Sequence, residues 1–535
     1  MKNLITIGCF LFIFFLTGCF EDEGNYDLKE TNEPTWLWNY TQSPLYITTY
    51  AGDTINVNVP FRFDKDSATA LANARYEWRF NGTLFSEDRN LRMPADTIVK
   101  KLNLPFSETS GGSGTYAIID KTTDIKYMVR TWLTIRPMYY KGDWLILSEN
   151  GADSKLSFYK IKRRTVGGMS TTTYTLYDNV YEELNPGMKL PGTPRRLRYH
   201  VAKHISAPMG ATTIVTSQSG YTLNNENLLA VGDVKEEFED GIPANFNISN
   251  VFHGGQVSWI ATEDGRLFRR IMSDNWLGGK YLADPYVVDE KGYKVTDFGQ
   301  GRTPSNITSP CYDELNRRVL MIRMRAPFSI LPVTYIAGTN HPLPVWDMPA
   351  GTEVLHLYAS SHKNLPYGDN QMYSMIFNDA NGDTWMADFV LNKNNGLCVE
   401  HEHASLIRFP GGNLPKGTKV LTAAADYRPY ASIYRVYTKG NELRYVNRVN
   451  DVDYPFMTFD HEITVVRYNA YNINYNRLGI GLENGDFFLV DLTDIANPVI
   501  MEETRVNVGG KVVDLMGFAS MMGLGRTVFY RKVRG

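Results

Sequence analysis

Val257-Ser258-Trp259-Ile260-Ala261-Thr262-Glu263-Asp264-Gly265-Arg266-Leu267-Phe268 reads as an apolar strand, a tight Asp-Gly turn and a second strand leading away. The same unit recurs on both sides of it. Upstream stand Trp144-Leu145-Ile146-Leu147-Ser148-Glu149-Asn150-Gly151, followed by Leu156-Ser157-Phe158-Tyr159, and then Thr213-Ile214-Val215-Thr216-Ser217-Gln218-Ser219-Gly220. Downstream, weaker echoes turn at Glu314 to Leu320, Phe377 to Trp385, Tyr437 to Leu443 and Gly481 to Phe488, and Gly523 to Tyr530 offers a closing strand. The units number about seven and are spaced irregularly by about 45 to 70 residues, which suits a four-stranded propeller blade of roughly 40 to 50 residues plus loops. The expected fold is therefore all-β, with a β-propeller of seven blades over residues 138–535. The repeats share hairpin chemistry and little else, so six or eight blades stay open, and a second pair of β-sandwiches is the alternative architecture.

Ahead of this region, residues 41–137 follow a different rhythm. Leu45 to Tyr50 ends at Ala51-Gly52-Asp53, and Ile55-Asn56-Val57-Asn58-Val59 alternates strictly, as a half-buried strand does. Tyr76-Glu77-Trp78-Arg79-Phe80 stops at Asn81-Gly82, a strong hairpin signal. Gly114 to Asp120 and Lys126 to Ile135 complete the set. A Trp in a middle strand and Gly114-Thr115-Tyr116 entering a late one are the core and corner residues of an immunoglobulin-like sandwich. No cysteine pair accompanies Trp78, which favours a PKD-type module, read as a spacer rather than a binding module. Residues 19–40 form the tether that leads into it, polar and aperiodic from Asn25 onward.

The N-terminus carries an address. Lys2 supplies a positive region, Leu4 to Phe15 form an apolar run of signal-peptide length, and Leu16-Thr17-Gly18-Cys19 ends it. That tetrapeptide resembles a bacterial lipobox, which implies removal of residues 1–18 and lipid on the Cys19 thiol. Several acyl chains on one residue anchor stably where a single chain binds marginally. No second segment approaches the length of a membrane span.

Composition narrows the function classes. The chain has 535 residues and a net charge of −3, so no basic field attracts nucleic acid. Of four cysteines, Cys9 leaves with the signal and Cys19 is lipidated; Cys311 and Cys398 remain, too few for a disulfide framework, and read as two buried thiols with one bridge as the alternative. The 33 Tyr, 26 Phe and 9 Trp fit either strand-filling or a sugar- or peptide-binding surface.

Taken together, the lipobox, the acidic Phe20-Glu21-Asp22-Glu23-Gly24, the sandwich and the opening Gly142-Asp143-Trp144-Leu145-Ile146-Leu147-Ser148 resemble the PKD-like family lipoproteins of Bacteroidota. The resemblance implies an outer-membrane lipoprotein facing the cell exterior, with a SusC/SusD-type nutrient transporter as partner. It brings no catalytic residues.

A direct search for chemistry agrees. The chain has no Gly-x-Ser-x-Gly, phosphate loop, His-Glu-x-x-His or Cys-x-x-Cys. His401-Glu402-His403 would put two imidazoles on one face of a strand, but no third ligand is evident and no metal or cofactor is expected. Three long loop segments combine aromatic faces with hydrogen-bonding groups: 273–281 with Trp276 and Tyr281, 340–346 with His341 and Trp346, and 361–368 with His362 and Tyr367. These six residues are the candidate ligand-binding set, against the alternative that they pin loops to the disc. The expected function is non-catalytic capture of a glycan or peptide, or scaffolding of an uptake complex; the alternative is a surface glycoside hydrolase or lyase with a propeller catalytic domain.

Overall fold

Asn81 and Gly82 both adopt left-handed backbone, with φ of 47° and 80°, and this two-residue turn joins strand Ala74–Phe80 to Thr83–Ser86. The computed structural model describes residues 31–37, 44–103, 110–136, 138–139, 143–166, 169–200, 203–204, 210–225, 227–254, 257–271, 276–277, 279–299, 308–323, 326–359, 369–420, 434–468, 477–494 and 497–517. The chain packs as two compact units. One comprises residues 1–45, 56–92 and 113–132, the other residues 46–55, 93–112 and 133–535.

In the first unit, Ala74–Phe80 pairs antiparallel with Ser110–Asp120, placing Trp78 directly opposite Tyr116. Both rings are fully buried with centroids 4.5 Å apart, and Trp36 meets Tyr116 edge-on at 6.2 Å. Trp78 is thus the core residue the sequence suggests. Tyr116 is not a tyrosine corner, because its hydroxyl has no hydrogen-bond partner and its ring lies in the core instead. Two short helices also occur where only strands were expected, one in this unit and one within residues 93–112 of the second. Ser67–Asn73 starts at Asp66, whose side chain accepts the Thr69 amide, and Ala95–Leu102 ends at a left-handed Asn103.

Most of the second unit is a succession of antiparallel sheets, built mainly from strands adjacent in sequence. The first holds Trp144–Asn150, Asp153–Val166 and Met169–Tyr177. The second holds Pro194–His200, Ala211–Thr216, Gly220–Asn224 and Ala230–Asp233. The third contains Ile248–His253, Val257–Thr262 and Leu267–Ile271, and the fourth Thr308–Asp313, Arg318–Arg323 and Ile330–Pro332. The fifth is Glu353–Ala359, Asn370–Asn378 and Thr384–Asn392, flanked by Cys398–Val399 and Ser405–Arg408. The sixth is Tyr434–Lys439, Glu442–Asn447 and Val452–Thr458; the seventh is Ile463–Tyr468, Arg477–Leu482, Asp486–Asp491 and Val499–Asn507. Every hairpin quoted from the sequence forms.

Why these strands lack the usual alternation follows from their packing. Side chains two apart share a face, so a strand covered on both faces is apolar throughout. On Trp144–Asn150, Leu145 and Leu147 pack with Ile214 and Leu223 of the second sheet, while Trp144 and Ile146 pack with Phe487 and Leu489 of the seventh. Val215 then meets Val251 and Ile260; Trp259 meets Leu320 and Ile322; Val319 meets Tyr373 and Met375; Ile376 meets Tyr437; Val436 meets Ile480 and Phe488. Each sheet shares a core with the next, and the seventh shares one with the first. The series is cyclic and propeller-like.

The ring is fastened by strand Val512–Gly517, which pairs antiparallel with Trp144–Asn150 and places Leu515 opposite Ile146. This closing strand differs from the expectation at Gly523 to Tyr530, a stretch outside the described residues. Val512 to Gly517 is short, buried on most positions and interrupted by Asp514, so it carries no hairpin signal of its own.

Candidate functional site

Each sheet of the second unit begins with a segment at its inner edge, and that segment carries a polar or charged residue just before an apolar one. These are Arg196-Leu197, Asn250-Val251, Asp297-Phe298, His356-Leu357, Lys419-Val420, Arg467-Tyr468 and Asp514-Leu515. In the fourth sheet Phe298 bridges to Cys311, and in the sixth Val420 bridges to Tyr437. Register shifts fall between Pro194 and Arg196, between Ile248 and Asn250 and between Val354 and His356, and a further one lies beside Asp514. A bulge places an extra residue in one strand and re-aims the next side chain. Four of the polar residues therefore owe their direction to a bulge.

The resulting cluster is held by a hydrogen-bond chain around the inner edges. Asp514 accepts the Leu197 amide at 2.9 Å and the Leu515 amide at 3.0 Å, and pairs with Arg467 at 2.7 Å. Arg198 Nε donates to Asn250 Oδ1 at 2.9 Å and to the Val251 carbonyl at 3.2 Å. Asn250 donates in turn to Asp297, which also accepts the Phe298 amide at 2.8 Å and lies 3.8 Å from Arg196. His356 Nε2 is buried without a hydrogen-bond partner.

Charge is unbalanced here. Arg196, Arg198, Lys419 and Arg467 influence one another's surroundings, and the carboxylates acting among them are Asp297 and Asp514. Burial followed by repulsion from Arg196 pushes Arg198 down to about 10. Burial, then Arg196 and Arg467, lowers Lys419, and burial with Arg467 pushes His356 down to about 4. Asp514 is fully buried, which opposes its ionisation, yet Arg467, Arg196 and Arg198 together hold it below the usual carboxylate range.

The expected loop residues fare differently. Tyr281 is not displayed to solvent: it is fully buried, its ring centroid lies 5.5 Å from that of Phe238, and its hydroxyl hydrogen-bonds with Ser258 Oγ at 2.5 Å. Tyr281 lies in the core between the second and third sheets because its backbone bridges to Phe238. Trp276 lies in the short strand Trp276–Leu277, paired parallel with Lys203–His204. His362, Tyr367 and Cys19 lie outside the described residues.

His341 and Trp346 do come together, with centroids 5.1 Å apart and planes at 82°. His341 Nε2 shares a 2.7 Å hydrogen bond with Thr339 Oγ1. Trp346 is half-buried against the core of the fourth and fifth sheets, and Tyr335 stacks on it at 4.1 Å with planes 13° apart. Tyr335 is 49% exposed and the adjacent Ile336 57%. Sequence reading missed Tyr335; its one signal is the run Val333-Thr334-Tyr335-Ile336, apolar and aromatic, beside a Gly338 turn.

Among the described residues no group of three or more His, Cys, Asp or Glu gathers. His401-Glu402-His403 is a turn rather than a strand: His401 Nδ1 accepts the His403 amide at 3.2 Å, so the two rings do not share a strand face. Cys311 and Cys398 are free thiols in separate cores, and burial pushes Cys398 up to about 12.

Comparison with known proteins adds one domain-level match. A profile of the PKD-like family matches residues 19–194. No curated protein matches the chain. Among solved structures, the computationally designed Ika8 protein is 8% identical and aligns over 70% of this chain and 91% of its own, with a TM-score of 0.35. YCF48 from Cyanidioschyzon merolae is 9% identical over 60% of this chain and 86% of its own, with a TM-score of 0.35. A quinonprotein alcohol dehydrogenase-like protein from Bacteroides thetaiotaomicron is 11% identical over 71% and 100%, with a TM-score of 0.20.

Proposed function

We propose that this chain is a non-catalytic, lipid-anchored surface protein that captures a glycan or peptide for a SusC/SusD-type uptake complex. In this reading Cys19 carries the lipid, residues 41–137 act as a spacer, and residues 138–535 form a seven-bladed propeller whose surface is the platform. The cyclic series of shared cores supports the blade count. The observation that carries the binding reading is the Tyr335–Trp346 stack, with His341 edge-on behind it. Aromatic rings offer apolar faces that sugars and planar peptide groups stack against at low entropic cost.

Against a hydrolase or lyase stands the direction of carboxylate titration. Among the described residues, each carboxylate whose titration departs clearly from the ordinary is shifted downward, Asp289, Glu314, Asp379 and Asp514 among them. A general acid for glycoside cleavage needs the opposite shift. This favours capture over chemistry.

The test is binding of the intact protein to a panel of polysaccharides and peptides, with Tyr335→Ala and Trp346→Ala. Each variant is expected to weaken retention at least tenfold while leaving the fold intact; retention unchanged in both variants removes the stack from the binding surface. Cys19→Ala is expected to release the protein from membranes, and a membrane-bound Cys19→Ala protein would sink the anchor. Affinity purification of the lipidated protein from outer membranes is expected to recover the transporter pair.

A further inference from the structure

We propose that the inner edges of the second unit form a binding site for a small oxyanion, at the point where Lys419, Arg196 and His356 gather. This site is separate from the aromatic stack and does not depend on it. The first argument is the fate of the two carboxylates. Asp514 spends its oxygens on the Leu197 and Leu515 amides and on Arg467. Asp297 takes the Phe298 amide and the Asn250 side chain, and its second oxygen stands 3.8 Å from Arg196. These partners include neither Lys419 nor His356.

The second argument is what is left over. No carboxylate among the described residues stands within ion-pair distance of Lys419, whose charge is opposed by burial, Arg196 and Arg467 and favoured from farther off by Asp514. His356 Nε2 is buried and has no acceptor or donor opposite it. A partly buried cation with no ion-pair partner among the described residues and a buried ring nitrogen without a hydrogen-bond partner both cost free energy, and each cost falls when an anion with several acceptor oxygens enters. Arg196 and Asp297 retain solvent exposure, so the cluster is reachable from outside.

The group that fits this donor set is a compact oxyanion: sulfate, phosphate or carboxylate. Arginine recognises such groups through paired N–H donors, lysine as a point charge. The oxyanion is either free and inorganic or borne on a sugar, and the two sources are separable by experiment.

The experiment is calorimetric titration of the full chain at fixed ionic strength with sulfate, inorganic phosphate, galacturonate and, as uncharged control, galactose. Saturable binding of at least one anion is expected, weakened at least tenfold in Lys419→Met and in His356→Leu and unchanged in Trp346→Ala. Binding of sulfate and phosphate identifies a free anion; binding of galacturonate alone identifies a sugar-borne carboxylate. Because Lys419 has no ion-pair partner among the described residues and sits beside Arg196 and Arg467, Lys419→Met without anion is expected to melt no lower than the parent. Absence of saturable heat with every anion overturns the proposal, as does affinity unchanged in both site variants. Binding of galactose that disappears in Trp346→Ala reports the aromatic stack and leaves the oxyanion result to be read from the charged probes.

Discussion

Asp143 and Asp514 are the residues on which the second unit turns, and both are buried charges with specific partners. Asp143 lies 3.1 Å from Lys160 and accepts the Ile161 amide at 2.8 Å, so Asp143, just before Trp144, is a structural clamp at the head of the first sheet. Lys160 is wholly buried and donates also to the Met138 carbonyl. Removing one partner of such a pair strands the other, so Asp143→Ala is expected to cost about 3 to 5 kcal/mol, measured by urea unfolding. Asp514, held ionised, and His356, held neutral, give the same sign of pH dependence. Asp514 titrates below its usual value when folded, so its contribution is complete above about pH 4 and is lost as pH falls through the lowered value. His356 is held neutral by burial and by Arg467, Arg196 and Lys419, with Asp297 opposing them. The unfolded chain therefore binds more protons between about pH 6.5 and pH 4, and stability falls across that window as pH is lowered. His356→Gln is expected to flatten the slope of unfolding free energy against pH in that window; an unchanged slope would show that the ring is not held neutral.

At the scale of elements, the hairpins were legible because their turns are local chemistry. Asp264-Gly265 and Asn484-Gly485 place Gly at φ of 91° and 92°, a conformation glycine adopts without strain. What the sequence concealed was anything assembled from distant segments. The inner-edge polar residues come one from each segment, and a lone Arg or His in a strand looks like a solvated face until the neighbouring sheet is placed over it. The recurring polar-then-apolar step, as in Asn250-Val251 and His356-Leu357, was the available signal, but it lies outside the turns that mark the repeat. The helices Ser67–Asn73 and Ala95–Leu102 escaped because they are short and lie between strand patterns. Packing also fixes residues that look replaceable. A Cβ on Gly479 would lie 2.8 Å from the Trp144 ring, so Gly479→Ala is expected to destabilise the seam between first and seventh sheets by about 1 to 3 kcal/mol, read from the shift in denaturation midpoint.

The whole second unit depends on closure. Without Val512–Gly517, the edge of Trp144–Asn150 is unpaired and the core containing Trp144, Phe487 and Val465 loses Val512 and Leu515. A chain ending at Gly510 is therefore expected to lose cooperative unfolding and to expose apolar surface, measured by dye binding and by broadened thermal transitions; a sharp transition at the parent temperature would refute the closing role. Composition alone could not reveal this, since the closing strand resembles any short buried strand.

The pairing of Trp144 with Gly517 also sets a timetable for biogenesis. The two partners lie near opposite ends of this unit, so synthesis must deliver nearly all of it before the first sheet acquires its fourth strand. Pairing across so long a loop is slow, because the chain entropy is surrendered before the contact rewards it. During that interval the half-built series of sheets leaves the apolar faces of Trp144–Asn150 and of the seventh sheet uncovered. A chaperone that holds those faces apart would then matter more to the yield of this protein than any single contact in its finished core.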